Sequence, residues 1–366
     1  MSENNPYLRY SDSVEVPEQD EEALSARIIE SMGRVNRANF ERHRHATRDA
    51  HAKSHGVLVG TLTVNEGLPA HLRQGLFSEP RSYPLVVRFS SAPGDVQSDR
   101  IPTQRGMAIK VLGVEGPKVL PEHRDETTQD LLLVNHPVIP FGDVAAYWRA
   151  QQFAEQRAGA SELSKRVTAG LARGAHHVLN AAGIQNELLK ALATPNTHIL
   201  GQTFHSMAAL RFGDYIAKIS VAPLSGEVRQ FIGRTIDADT QPSALRDLVV
   251  AFFREHSAEY ELRAQLCTAL ARMPVEDASV PWPESVSPWQ PVARISLPRQ
   301  EAFSPERRVY ADDVLSFNPW HCIEAHRPLG ALMRLRRKAY EESSRFRHEM
   351  NAKPRVEPRS LADIPA

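Results

Sequence analysis

Leu85-Val86-Val87-Arg88-Phe89-Ser90 is the stretch on which the fold assignment of this chain turns. Its β-branched and aromatic residues predict a strand. Arg88 stands in the middle of that apolar run, where an unpaired charge is expensive to bury, so it calls for an anionic partner. On either side of it, Gly56–Val64, Gly106–Leu112 and Asp130–Val134 read as further strands, the last ending at Asn135-His136-Pro137. Strand character returns at Ser206–Leu210, Asp214–Val221 and Pro291–Leu297, while Tyr260–Ala271 fits strand or helix equally. Between the two groups, residues 143–195 are rich in Ala, Leu, Gln and Glu and predict a helical excursion interrupted near Gly170 and Gly174. Residues 21–46, 243–253 and 328–351 also read as helical, and 273–291 as a Pro- and Trp-rich ordered loop.

Strands on both sides of a helical insert predict one α+β domain around an antiparallel sheet or barrel. No β–α–β alternation with a glycine-rich turn is present, which argues against a dinucleotide fold. The expected organisation is a flexible arm over residues 1–20, one domain over 21–353 and a Pro-rich frayed tail over 354–366. Lys+Arg and Asp+Glu both number 44, so no basic excess points to nucleic acid or a membrane surface. Hydrophobic residues make up 42% of the 366, enough for a sizeable core. Cys267 and Cys322 are too few for a disulfide framework or a thiolate cluster. With no secretory leader and no run of ~18 apolar residues, a cytoplasmic protein is expected.

Three segments carry groups capable of chemistry. Arg48-Asp-Ala-His51-Ala-Lys53 offers an imidazole, Ser90 a hydroxyl to orient it, and Arg336-Arg-Lys-Ala-Tyr340 a guanidinium and a phenol four residues apart, on one helix face. His43, His45 and His55 read as structural neighbours, and His205 with His326 lacks the spacing or carboxylate of a metal site. Trp148 reads equally as the roof of a pocket or as helix packing.

In order along residues 40–350, these segments resemble those of haem catalases, in particular short catalase-related proteins without the C-terminal flavodoxin-like domain. Arg48–Lys53 is similar to the family's distal-histidine segment. Pro84–Ser91 with Arg105–Lys110 is similar to its next strand pair, and Asp130–Val138 to its distal-asparagine strand. Gln265-Leu-Cys-Thr, Met273–Asp277, Ser287-Pro-Trp289 and Phe317-Asn-Pro319 follow in the family's order, then Arg336-x-x-x-Tyr340 and Arg345-x-Arg347. The proximal segment departs from the family pattern in lacking its second aromatic residue, and His136 stands where the family has a small polar residue.

The resemblance implies an antiparallel β-barrel with surrounding helices and a C-terminal proximal helix, with haem b as cofactor. It implies Tyr340 as the iron ligand, supported by Arg336, since Tyr is one of the side chains that hold haem iron. His51, Ser90 and Asn135 are the implied catalytic set, and Arg48, Arg88 and Arg347 the implied partners of the two propionates. His321, just beyond Pro319-Trp320, is a competing proximal ligand. The implied activity is peroxide cleavage, as catalase or as a peroxidase on a small organic molecule, with hydrogen peroxide or an organic hydroperoxide as substrate. The altered proximal segment leans toward peroxidase-like or specialised chemistry. Alternatives are a non-catalytic haem-binding protein, an enzyme that rearranges organic hydroperoxides, and a lipid-like ligand barrel without haem. A homo-oligomer is also implied.

Overall fold

The structure is a computed structural model and describes residues 5–156, 195–237 and 241–366. Nine antiparallel strands form one sheet: β1 (Lys53–Val64), β2 (Ser82–Ser91), β3 (Arg105–Leu112), β4 (Thr128–Val134), β5 (Phe204–His205), β6 (Leu210–Phe212), β7 (Tyr215–Pro223), β8 (Ala258–Leu266) and β9 (Gln290–Leu297). The order β5-β4-β3-β2-β1-β9-β8-β7-β6, with β5 also pairing to β7, closes the sheet into a barrel of eight strands. β5 and β6 share one edge of β7, with Phe204 opposite Val221 and Leu210 opposite Ala217. Closure removes the exposed edges that an open sheet of this size would leave.

The barrel reads directly from period-two alternation. On β2, Leu85, Val87 and Phe89 enter the core, so Val86, Arg88 and Ser90 point outward. The same core takes Met107, Ile109 and Val111 from β3, Leu131 and Leu133 from β4, and Tyr260, Leu262, Ala264 and Leu266 from β8. The segment 260–266, which composition left undecided, is strand because it pairs with β7 on one side and β9 on the other. Conversely, residues 206–209 are not strand. Met207 takes φ 62 and Ser206 Oγ donates to Ala208 O at 2.9 Å, a turn that divides β5 from β6.

Among the described residues, four longer helices surround the barrel: α1 (Glu21–His43), α2 (Val144–Gln156), α3 (Ala244–Glu255) and α4 (Ala331–Met350). α1 stops at Arg44, whose left-handed backbone (φ 53) ends the helical path. α2 falls where the helical excursion was expected; residues 157–194 of that stretch, with Gly170 and Gly174, lie outside the described residues. α1, α2 and α4 pack into a layer around Ile28, Leu332 and Leu335. The α4 N-terminus begins at Gly330 (φ 94), where a Cβ would run into the Val275 carbonyl. Glu15 and Glu276 accept from the Gly330 and Ala331 amides at 2.7 and 2.8 Å, placing anions at the positive helix end.

The two ends expected to be loose make specific contacts. Leu8 N donates to Cys267 O, Val14 is buried, and Arg334 joins Glu15 to the body of the protein. Ile364 is buried against Val57, Val86, Ala311 and Leu315, and Arg307 Nε donates to Pro365 O at 2.8 Å. Among the described residues, no helix is long and apolar enough to cross a membrane.

Leu262 is fully buried in the barrel core and away from the groups described below. Leu262→Ala is expected to lower the unfolding free energy by about 2–5 kcal/mol in denaturant titrations; a loss well below ~1 kcal/mol would contradict this core.

Candidate functional site

Between the outer face of β2–β4 and the layer of α1, α2 and α4 lies a cavity of about 490 Å³. That is within the range of roughly 300–1,000 Å³ usual for cofactor and ligand sites. Seven of the eight residues singled out from sequence line it: Arg48, His51, Arg88, Ser90, Arg336, Tyr340 and Arg347.

The barrel wall supplies an imidazole. His51 Nδ1 and Ser90 Oγ are 3.1 Å apart. The ring comes close to β3 because position 106 is glycine; a Cβ there would sit 2.5 Å from His51 Nδ1 and 2.8 Å from Ser90 Oγ. His51 has φ 58, a left-handed backbone uncommon for a side-chain-bearing residue. Its N–H donates to Ala92 O at 2.8 Å, and its carbonyl accepts from Arg88 Nη2 at 2.7 Å, which hold that conformation. Burial, then the charges of Arg88, Arg336 and Arg48, push the imidazole down to about 3, so it is neutral at ordinary pH.

The helical wall supplies a phenol. α4 presents Leu332, Leu335, Arg336, Ala339, Tyr340, Ser343 and Arg347 to the cavity, the recurrence of one helix face. Arg336 Nη2 donates to Tyr340 Oη at 2.5 Å, and the guanidinium lies 4.9 Å from the ring centroid. Tyr147 of α2 brings a second phenol, pushed up to about 12 by burial and then by Asp49 and Tyr340.

At one end of the cavity three guanidiniums converge. Arg88 and Arg347 are each 2% exposed, and the Arg48 side chain 13%. Their N–H groups are largely taken by neutral acceptors: Arg48 donates to Ala311 O and Leu315 O, Arg88 to Ser54 Oγ, and Arg347 to Asp312 O and Ser316 Oγ. Among the described residues, the one carboxylate within 4 Å is Asp312, 3.5 Å from both Arg48 and Arg88. Three cations and one anion leave an excess of two positive charges, with Asp313 and Asp49 acting from further away. Burial, then Arg48, pushes Arg88 down to about 9, and burial pushes Arg347 well below its ordinary value. A guanidinium keeps its proton in proteins, so the three side chains stay charged in this buried place.

The eighth residue, Asn135, does not line the cavity, although its neighbour Val134 does. Its carboxamide oxygen accepts from Arg105 N at 2.7 Å and its own N–H reaches Arg105 O, extending the β3–β4 ladder by one step. His321 is also elsewhere: it is 2% exposed among Glu126, Asp130 and Glu357. Burial and Lys110 act to lower its pKa, but Asp130 and Glu126 more than offset them and hold it above its ordinary value. Trp148 packs in the helical layer with Arg27 over its ring, while Tyr147 faces the cavity. His326 Nε2 accepts from Leu76 N, and His43, His45 and His55 pair with Asp95, Asp313 and Ser91. Sequence reading missed Asp49, Tyr147, Asp312 and the part played by Gly106. Only Gly106 left a signal, as a lone glycine inside a strand pattern.

The architecture matches solved catalase structures, and the chain superimposes on these over most of its length. A fungal catalase aligns at TM-score 0.59 and 17% identity, over 87% of this chain and 64% of its own. Catalase A from Saccharomyces cerevisiae aligns at TM-score 0.58 and 16% identity, over 98% and 72%. A bacterial catalase aligns at TM-score 0.56 and 16% identity, over 88% and 62%.

The chain has the catalase fold.

It spans 62%, 64% and 72% of the length of these three catalases. No protein-family model matches the sequence, and no curated protein sequence does. Within the catalase fold, the cavity described above lies between the barrel and the helix that carries Tyr340.

The depressed pKa of His51 has a thermodynamic consequence. Its folded value, about 3, lies below the unfolded value near 6.5, so the unfolded chain binds more protons between those limits. Its contribution to stability is complete above pH 6.5 and is lost as pH falls toward 3, at up to ~1.4 kcal/mol per pH unit. His51→Gln is expected to flatten the pH dependence of the unfolding free energy between pH 6.5 and 4.5. An unchanged slope would show that the ring is not held neutral.

Proposed function

We propose that this protein is a haem-dependent oxidoreductase that cleaves the O–O bond of hydrogen peroxide or an organic hydroperoxide, by disproportionation or with a small organic molecule as reductant. The observation that carries this reading is one cavity shared by an Arg-paired phenol, a Ser-paired imidazole and three guanidiniums with two positive charges in excess. That donor set fits haem b: Tyr340 would hold the iron, His51 would handle protons, and Arg48, Arg88 and Arg347 would pair with the two propionates. Haem, when bound, supplies the iron centre at which peroxide is cleaved.

The chain's own groups have the following roles in this proposal. Arg336 would stabilise the phenolate form of Tyr340, which would hold the iron. Arg48, Arg88 and Arg347 take the propionates. His51 accepts a proton at Nε2 from the near peroxide oxygen and returns it to the leaving oxygen. Ser90 fixes the tautomer by accepting from Nδ1–H, so that the Nε2 lone pair faces the cavity. The apolar lining of Val134, Leu332, Leu335 and Ala339 limits water around these steps. Asn135 stays outside this set unless its carboxamide leaves Arg105.

Four variants test the roles. Tyr340→Phe is expected to lose haem or shift its absorption spectrum; a normal spectrum there combined with an abnormal one in His321→Ala would move the proximal ligand to His321. His51→Ala is expected to retain haem and abolish oxygen evolution from peroxide, and unchanged evolution would remove His51 from the chemistry. Gly106→Ala, which displaces the imidazole, is expected to lower turnover at least ~10-fold with haem content unchanged; full turnover would show that ring placement is not limiting.

A further inference from the structure

Outside the cavity, a second cluster of titratable groups covers the outer face of β3 and β4. It joins the turn Pro121–His123, Glu126, the loop before Glu324 and the C-terminal segment at Arg355 and Glu357. Ligand atoms of His123, Glu126 and His321 all lie within 4.8 Å of one another, as do those of Asp130, His321 and Glu357. We propose that His123, Glu126 and His321 bind one divalent transition-metal ion of the zinc class, which fastens the 121–126 turn and the His321 loop to the barrel. The proposal is independent of any haem chemistry.

Four observations carry it. First, the atoms converge: Glu126 Oε2 is 2.9 Å from His123 Nδ1 and 2.6 Å from His321 Nε2. Two imidazoles and a carboxylate are a donor set that suits zinc and its neighbours. Second, His123 Nδ1 is buried but has no well-directed hydrogen bond, because its approach to the Glu126 oxygen is off line.

Third, the outer layer is in place. His321 Nδ1 faces Glu357 Oε1 at 3.4 Å and Asp130 Oδ2 at 3.5 Å, and carboxylates behind a ligating imidazole orient it and raise its basicity. Fourth, charge separates the two trios. Lys110 Nζ already sits 2.6 Å from both Asp130 and Glu357, so that trio holds its own cation.

Arg355 bonds both oxygens of Glu126 at 3.0 Å. In the metal-bound form it keeps Oε1, and Oε2 turns to the ion. Bonds of about 2.0–2.2 Å place neighbouring ligand atoms roughly 3.3–3.6 Å apart in a tetrahedron, so Oε2 withdraws by about half an ångström from His123 and by somewhat more from His321. Thr128 Oγ1, 3.2 Å from His321 Nε2, stands where it can hold a water as fourth ligand.

The test is calorimetric titration of the full-length, chelator-dialysed protein with Zn²⁺, together with the metal content of the chain. One zinc per chain, in addition to any iron, is expected, with affinity falling at least ~10-fold in His123→Ala and in Glu126→Gln. Absence of zinc uptake, or uptake unchanged in both variants, overturns the proposal and leaves an ion-pair network alone. If His123→Ala does not fold by circular dichroism, His123→Gln replaces it in the titration, with the same expected loss of affinity and the same overturning result.

Discussion

Burial of Arg48, Arg88 and Arg347 around Asp312, the one carboxylate within 4 Å of them among the described residues, is the constraint that organises this molecule. Neutral carbonyl and hydroxyl acceptors satisfy most of their N–H groups but not their charge. Removing an ion from water costs several kcal/mol even after relaxation, and Coulomb attraction recovers that only with a well-placed counter-ion. Among the described residues, these three cations have one carboxylate within 4 Å, and the proposed anionic ligand would supply the missing counter-charge.

The same guanidiniums tie the two walls of the cavity together. Arg88 leaves the barrel on β2 and fixes the His51 carbonyl, and so holds a left-handed backbone that an unsupported histidine would abandon. Arg347 leaves α4 one turn past Ser343 and fixes the 312–316 segment. Asn351, just beyond α4, exchanges hydrogen bonds with the Ala46 backbone at 2.8 and 2.9 Å, so the end of the phenol-bearing helix holds the loop that bears the imidazole. Groups far apart in sequence are thus positioned by one connected set of polar contacts. Its members can be expected to couple strongly rather than add independently.

How much of this was legible depends on the range over which each feature is determined. The strands at 85–90, 106–112 and 130–134 were readable because alternation and β-branching are local and the barrel core demands them. Residues 258–266 carry an alternation that mixes Glu, Arg and Gln with Tyr and Leu, and only pairing with β7 and β9 settles their conformation. The turn at Met207 has no glycine or proline to announce it. At the site, Arg88 announced its need for an anion, because a charge inside an apolar strand is a local contradiction. Asp312 could not be read as its neighbour, since nothing in the sequence brings the 310–316 segment to the end of β2. Asn135 has the expected place after a strand, but its hydrogen bonds to Arg105 are a property of strand pairing, which sequence order does not reveal. The tail after Pro354 read as loose on composition, while Glu357 and Ile364 are held by Lys110 and by Val57 and Val86.

Whether the three guanidiniums await the carboxylates of haem is measured most directly by an absorption titration of the purified chain with haem, comparing the wild type with Arg88→Gln/Arg347→Gln. The wild type is expected to saturate at one haem per chain, with a high-spin ferric Soret band and a phenolate charge-transfer feature, and the double variant to bind at least ~10-fold more weakly. Absence of a saturable spectral change, or equal affinity in the two proteins, would contradict an anion site built from these arginines.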